Sequence, residues 1–111
     1  MSGKLEIMPG TLDLLVLRTL DAMGPLHGYG IARRIEQLGR EGLLLNEGTV
    51  YASLVRLQQE GYIEADWGVS DNGRKARYYA LTKAGKKKLA AETKTWERTV
   101  LMVSRILRGE A

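Results

Sequence analysis

The 111-residue chain has no cysteine and a single histidine, His27. Without thiols there is no disulfide, no thiolate metal site and no cysteine nucleophile, and redox grounds leave the compartment open. His27 stands without a carboxylate or second ligand nearby, so its expected role is capping or packing in a turn rather than catalysis. Long apolar runs are missing too. The opening MSGKLEIMPG contains none, so neither a signal peptide nor a membrane span is expected, and cytoplasmic residence follows by default. No carboxylate pair, nucleophile-plus-base set, phosphate-cradling glycine loop or metal-ligand cluster is visible. Asp13, Asp21, Asp66 and Asp71 are scattered over caps, strand and turn. An enzyme is therefore not expected, and no cofactor is implied.

What is present suffices for a folded core: 44% of the residues are hydrophobic, and the length suits one domain, or a small domain with an appendage. Net charge is +4, a mild excess whose placement matters more than its size. The most informative stretch is Asn46–Gly61, NEGTVYASLVRLQQEG. Asn46 can cap a helix and Gly61 can end it in the left-handed conformation. Val50, Leu54 and Leu57 form its inward side. Thr49, Ala52, Ser53 and Arg56 read as an outward face, short-chained apart from one arginine. Such a face suits close approach to another surface, and the major groove of DNA admits one helix. An ordinary amphipathic core helix is the competing reading of this stretch alone.

Upstream, Pro9-Gly10 is a break, and Thr11 is placed to cap a helix through about Ala22. Leucines and Val16 cover that helix nearly all round. It is expected to be buried on several sides, either between this chain's core and a second chain or at the centre of one chain. A second helix is expected from about Gly28 to Leu38, with Tyr29, Ile31, Ile35 and Leu38 inward and Arg33, Arg34 and Gln37 outward. Leu43-Leu44-Leu45 reads as a brief strand or an extended core filler.

After Gly61 the period changes to two. Ile63, Ala65 and Trp67 alternate with polar neighbours as in a half-buried strand. Ser70-Asp71-Asn72-Gly73 is a turn signal, and Arg77–Leu81 returns. A hairpin after two closely spaced helices is the order of a winged helix-turn-helix. From Asn72 to Ala91 there are seven Lys or Arg and no acidic residue, beginning at the hairpin tip, where a wing would touch phosphates. Thr82 is placed to cap a last helix to about Arg108. Leu89, Thr93, Trp96, Val100, Val103 and Leu107 recur along it at alternating steps of four and three, a seam suited to pairing with another helix. Trp96 in that seam is either a large filler or a wall for a flat ligand. The expected class is thus mainly α with a small β-hairpin: a winged helix-turn-helix over 1–81 and a C-terminal dimerisation helix over 82–111.

Four segments carry a family resemblance along nearly the whole chain: GTLDLLVLRTL (10–20), GPLHGYGIARRI (24–35), EGTVYASLVRLQQEGYI (47–63) and WGVSDNGRKARYYALTKAG (67–85). The chain resembles the PadR family of bacterial transcriptional regulators, in its subclass with one short C-terminal helix. The resemblance implies a homodimer in which the last helix packs on its partner and on the first helix, with Leu12, Leu15, Leu89, Trp96, Val100, Val103 and Leu107 at the interface. It implies repression of transcription through double-stranded DNA, with recognition helices in successive major grooves of a pseudo-palindromic operator. On that reading Thr49, Ser53 and Arg56 face bases or groove-lining phosphates, and Tyr51 points its hydroxyl at a phosphate. Tyr29 and Gly30 present amides to phosphate. Arg74, Lys75 and Arg77 clamp the backbone around a tip shaped by Asn72 and Gly73. Some drug-responsive members carry a tryptophan in a central interfacial pocket, so the resemblance sets contact with a small aromatic effector beside the filler reading of Trp96. The alternative is a winged helix that binds proteins and never DNA. Such domains commonly lack a basic wing, and this chain has one.

Overall fold

The computed structural model describes residues 3–40 and 42–109. In chain order the elements are strand β1 (Leu5–Glu6), helix α1 (Pro9–Met23), β2 (Leu26–His27), α2 (Gly28–Leu38), β3 (Leu43–Leu44), α3 (Glu47–Gln59), the hairpin β4 (Ile63–Val69) and β5 (Lys75–Leu81), and α4 (Lys83–Arg108). The protein is mainly helical with a small antiparallel sheet, ordered β2-β5-β4. A second, two-stranded sheet pairs β1 with β3 in parallel. The winged helix-turn-helix expected from the sequence is present. Strands β1 and β2 were not anticipated, since two residues are too few to show a period.

The helix boundaries follow from local chemistry. Asn46 Oδ1 accepts from the Thr49 amide at 2.8 Å and caps α3. Gly61, at φ +81°, closes its other end, and the Tyr62 amide donates back to the Leu57 carbonyl. Thr82 caps α4: its hydroxyl accepts from the Gly85 amide at 3.0 Å and donates to the Gly61 carbonyl at 2.7 Å. One side chain thus ties the start of α4 to the end of α3. Helix α1 begins earlier than expected. Pro9 occupies its first turn, where the missing amide costs nothing, and Thr11 lies inside the helix rather than at its cap.

The core gathers Leu12, Val16, Leu17 and Leu20 of α1, Ile31 and Ile35 of α2, Val50, Leu54 and Leu57 of α3, and Ile63, Tyr79 and Leu89. Helix α1 packs on α2, α3, α4 and β5, so it is the centre of a single chain. Two expected interface residues are corrected by this packing. Leu12 is fully buried and Leu89 nearly so within one protomer, because each sits on the stripe of its helix that closes over the core. Leu15 is half-buried at the edge. On α2, Tyr29 and Leu38 are exposed rather than inward, since the buried stripe is Ile31, Ala32 and Ile35.

Helix α4 outruns this core. The radius of gyration is 15.5 Å, against about 13 Å for a compact chain of this length. Beyond Leu89, no residue of α4 up to Arg108 is buried. Trp96, Val100, Val103 and Leu107 line up along it with Leu101, Met102 and Ile106 beside them, all exposed.

Candidate nucleic-acid interface

Three elements meet around one open concavity of about 1190 Å³: the start of α2, the first half of α3 and the hairpin tip. Each is placed by contacts that can be named. His27 is the pivot of the first. Its Nδ1 accepts from the Gly30 amide at 2.9 Å and caps α2, which fixes the proton on Nε2 when the ring is neutral. The ring lies edge-on to Tyr78, its cross-strand partner, and stacks near Tyr29. The expected capping role of His27 therefore holds. The expectation that Gly30 offers a free amide to phosphate does not, because His27 already occupies that amide.

The hairpin tip is closed by Gly73 at φ +79°, with the Ser70 amide donating to the Arg74 carbonyl at 2.8 Å. The Ser70 hydroxyl donates to Asn72 Oδ1, which stiffens the loop. Below the tip, Lys75 Nζ lies 5.2 Å and the Arg77 guanidinium 5.7 Å from the centre of the Trp67 ring. Trp67 is 61% exposed, because the hairpin runs out past the core. Its ring is a shelf that holds two cations on one face of the wing. Arg33, Arg74, Lys75 and Arg77 line the concavity against Glu47 and Asp71, so its wall carries more positive than negative charge.

Helix α3 presents a different face from the one expected. Ser53 is fully buried, and its hydroxyl donates to Asp13 of α1. Arg56 forks onto the same carboxylate, with Nη2 at 2.7 Å from Oδ1 and Nε at 3.3 Å from Oδ2. Hydrogen bonding to Asp13 holds the Arg56 guanidinium above its ordinary pKa, against the opposing effect of burial. With 39% of its side chain exposed, Arg56 lies in the α1–α3 seam rather than outward. The reason is angular. At about 100° per residue Ser53 falls only about 40° from Leu57, inside the buried arc. The outward arc is Gly48, Tyr51, Ala52, Val55 and Gln59. Thr49 lies at its margin, with its hydroxyl donating to Asn46 at 2.6 Å.

Of the residues expected at the DNA, Tyr29, Tyr51, Asn72, Arg74, Lys75 and Arg77 line this one concavity, and Gly73 closes the tip between them. Ser53 and Arg56 are set apart against Asp13. Sequence reasoning missed Asp13 and the Trp67 shelf. A carboxylate set between Leu12 and Leu14 of α1 was the available signal, because a charge on a buried helix needs a partner. Among the described residues no group of three or more His, Cys, Asp or Glu could hold a metal ion, and no helix is long and apolar enough to cross a membrane.

This geometry has close counterparts. The transcriptional regulator PadR-like family model matches residues 16–91. A Lysinibacillus sphaericus chain described as uncharacterized protein X is 30% identical over 104 residues, covering 94% of both chains. Among solved structures, a transcriptional regulator from Clostridium thermocellum superposes with a TM-score of 0.78 at 28% identity, over 86% of this chain and 89% of that one. A PadR-like transcriptional regulator from Bacillus cereus does so with a TM-score of 0.75 at 28% identity, over 91% and 95%.

Proposed function

The chain belongs to the PadR-like family of transcriptional regulators, and from that premise we propose that it is a cytoplasmic, homodimeric repressor that binds a pseudo-palindromic operator. The observation that carries this reading is the single concavity flanked by α3 and a cationic wing, with Tyr29 and Tyr51 exposed beside it. Tyr51 and Thr49 approach the groove, and Tyr29 reaches a flanking phosphate. Arg74, Lys75 and Arg77 hold the backbone beside the groove, with Asn72 and Gly73 shaping the tip.

The winged helix-turn-helix spans 1–81, and the helix from 82 onward joins two copies. Support comes from the apolar seam of α4 at Trp96, Val100, Val103 and Leu107, which no part of its own chain covers among the described residues. Paired seams would place two α3 helices about one turn of DNA apart, roughly 34–36 Å. Selection of duplexes from a random pool tests the reading, combined with sedimentation of the protein alone. The expected outcome is a dimer and an enriched inverted repeat with half-sites one turn apart. A monomer that enriches no sequence would defeat it.

A small aromatic effector would bind against Trp96, which is 47% exposed. It would act by favouring one separation of the two α3 helices over another. In a Trp67→Phe chain, Trp96 is the remaining indole. Its emission should change on titration with planar aromatic compounds. An unchanged spectrum across a broad panel would leave Trp96 as a filler of the seam.

A further inference from the structure

Four polar side chains of α3 are placed where they do not reach a base at the centre of the groove. Arg56 is forked onto Asp13. Ser53 is buried on the same carboxylate. Gln58 and Gln59 are at the C-terminal end of the helix, the end away from the wing concavity. In helix-turn-helix docking the N-terminal part of the recognition helix meets the base edges. In that part the outward arc offers Gly48, Tyr51 and Ala52, followed one turn later by the half-buried Val55. Thr49 directs its hydroxyl proton to Asn46. Glu47, exposed in the first turn, lies off that arc and carries only acceptors, so the surface that enters the groove is a methyl group and an aromatic ring rather than a fork of donors.

One base in the major groove offers a matching apolar feature: thymine, through its C5 methyl group. Resting on the DNA-binding reading above, we infer that this regulator recognises its operator through thymine methyl groups packed on Ala52, with the Tyr51 ring and Val55 as walls. Asp13 is the positioning residue that makes this so. By holding Arg56 in the α1–α3 seam it removes the one side chain of α3 that would otherwise read guanine bidentately. Gly48, one turn before Ala52, has no side chain to hold the helix away, so the backbone can approach the groove floor.

The test uses the wild-type protein and a duplex enriched from a random pool. Each thymine is replaced in turn by deoxyuridine, which deletes the methyl and leaves every hydrogen-bonding group. At the contacted thymines the dissociation constant should rise about fourfold, the worth of one buried methyl, and about fifteenfold when both half-sites are changed. The same replacement should have a much smaller effect on an Ala52→Gly chain. Arg56→Gln should leave the preferred base at every position unchanged. If uracil is tolerated at all thymines while the duplex is still bound, the methyl readout is wrong and DNA binding stands. Loss of a guanine preference in Arg56→Gln would equally overturn it, because Arg56 must then leave Asp13 in the complex. If no duplex is enriched at all, the DNA-binding reading itself fails and this inference with it.

Discussion

A Gly85→Ala chain should melt at least about 10 °C below the parent, the largest stability change expected from adding one methyl group to this protein. Gly85 is buried in the first turn of α4, under the backbone of Tyr62. A Cβ built there would stand 2.0 Å from the Tyr62 carbonyl oxygen and 2.8 Å from Leu81 Cδ1. The Leu81 methyl can turn aside. The carbonyl cannot, because it already accepts from the Thr82 amide at 3.1 Å, and Thr82 also holds the Gly61 carbonyl. Relief requires α4 to lift away from the end of α3, which breaks the cap and uncovers Leu89. Overpacking typically costs about 1–3 kcal/mol and occasionally more; a clash with backbone belongs at the upper end, and each kcal/mol moves the midpoint of a domain this size by roughly 4–8 °C. The control has the opposite expectation. Gly10 also lies in a helix, with nothing within 4 Å of an added Cβ. Gly10→Ala should leave the midpoint unchanged or slightly raised, since alanine favours helix by up to about 1 kcal/mol. Thermal unfolding by circular dichroism, at one fixed protein concentration, reads both. Equal midpoints for Gly85→Ala and the parent would mean that α4 is not seated as described.

The largest functional effect is expected at the wing. Removing Arg74 and Lys75 together should weaken binding to every DNA sequence alike, on the order of fiftyfold per engaged protomer at 0.1 M salt. The slope of log affinity against log salt should flatten by about 1.8 per protomer, or about 0.9 for each phosphate that no longer meets a cation. Sequence preference should survive, because phosphate contacts position the protein without reading bases. Arg74 is exposed at the tip, whereas Lys75 lies over Trp67 and lines the concavity. Titrations of specific and random duplexes between about 0.05 and about 0.3 M salt measure the slope. An unaltered slope would show that the wing does not touch phosphate.

The two expectations fall on opposite ends of the hairpin. Its base, at Ile63 and Leu81, joins the core, and its tip projects to the concavity. The division explains why Trp67 is exposed although its strand alternates like a half-buried one. The alternation describes one face of the strand, but the core ends before Trp67 is reached. Likewise α1, read from its leucines as a helix with two apolar sides to cover, covers most of them against four elements of its own chain. Only the distal part of α4 is left with an apolar stripe and no cover among the described residues.

Local chemistry determined a good deal by itself. The caps at Asn46 and Thr82, the left-handed stop at Gly61, the turn at 70–73 and the run of cations after it are each set by residues within a few positions of one another. So is the order of helices and hairpin that marks the winged helix, and the quoted segments were enough to indicate the family. Tertiary structure alone decided what the helices do with their polar side chains. Asp13 is 40 residues from Ser53 and 43 from Arg56. No local period connects a carboxylate on one helix to a hydroxyl and a guanidinium on another. Only the packing of α1 against α3 brings them together, and burial then favours the fork, because a carboxylate withdrawn from water needs donors. That contact holds the arginine in the α1–α3 seam and leaves Ala52 and Tyr51 exposed on α3.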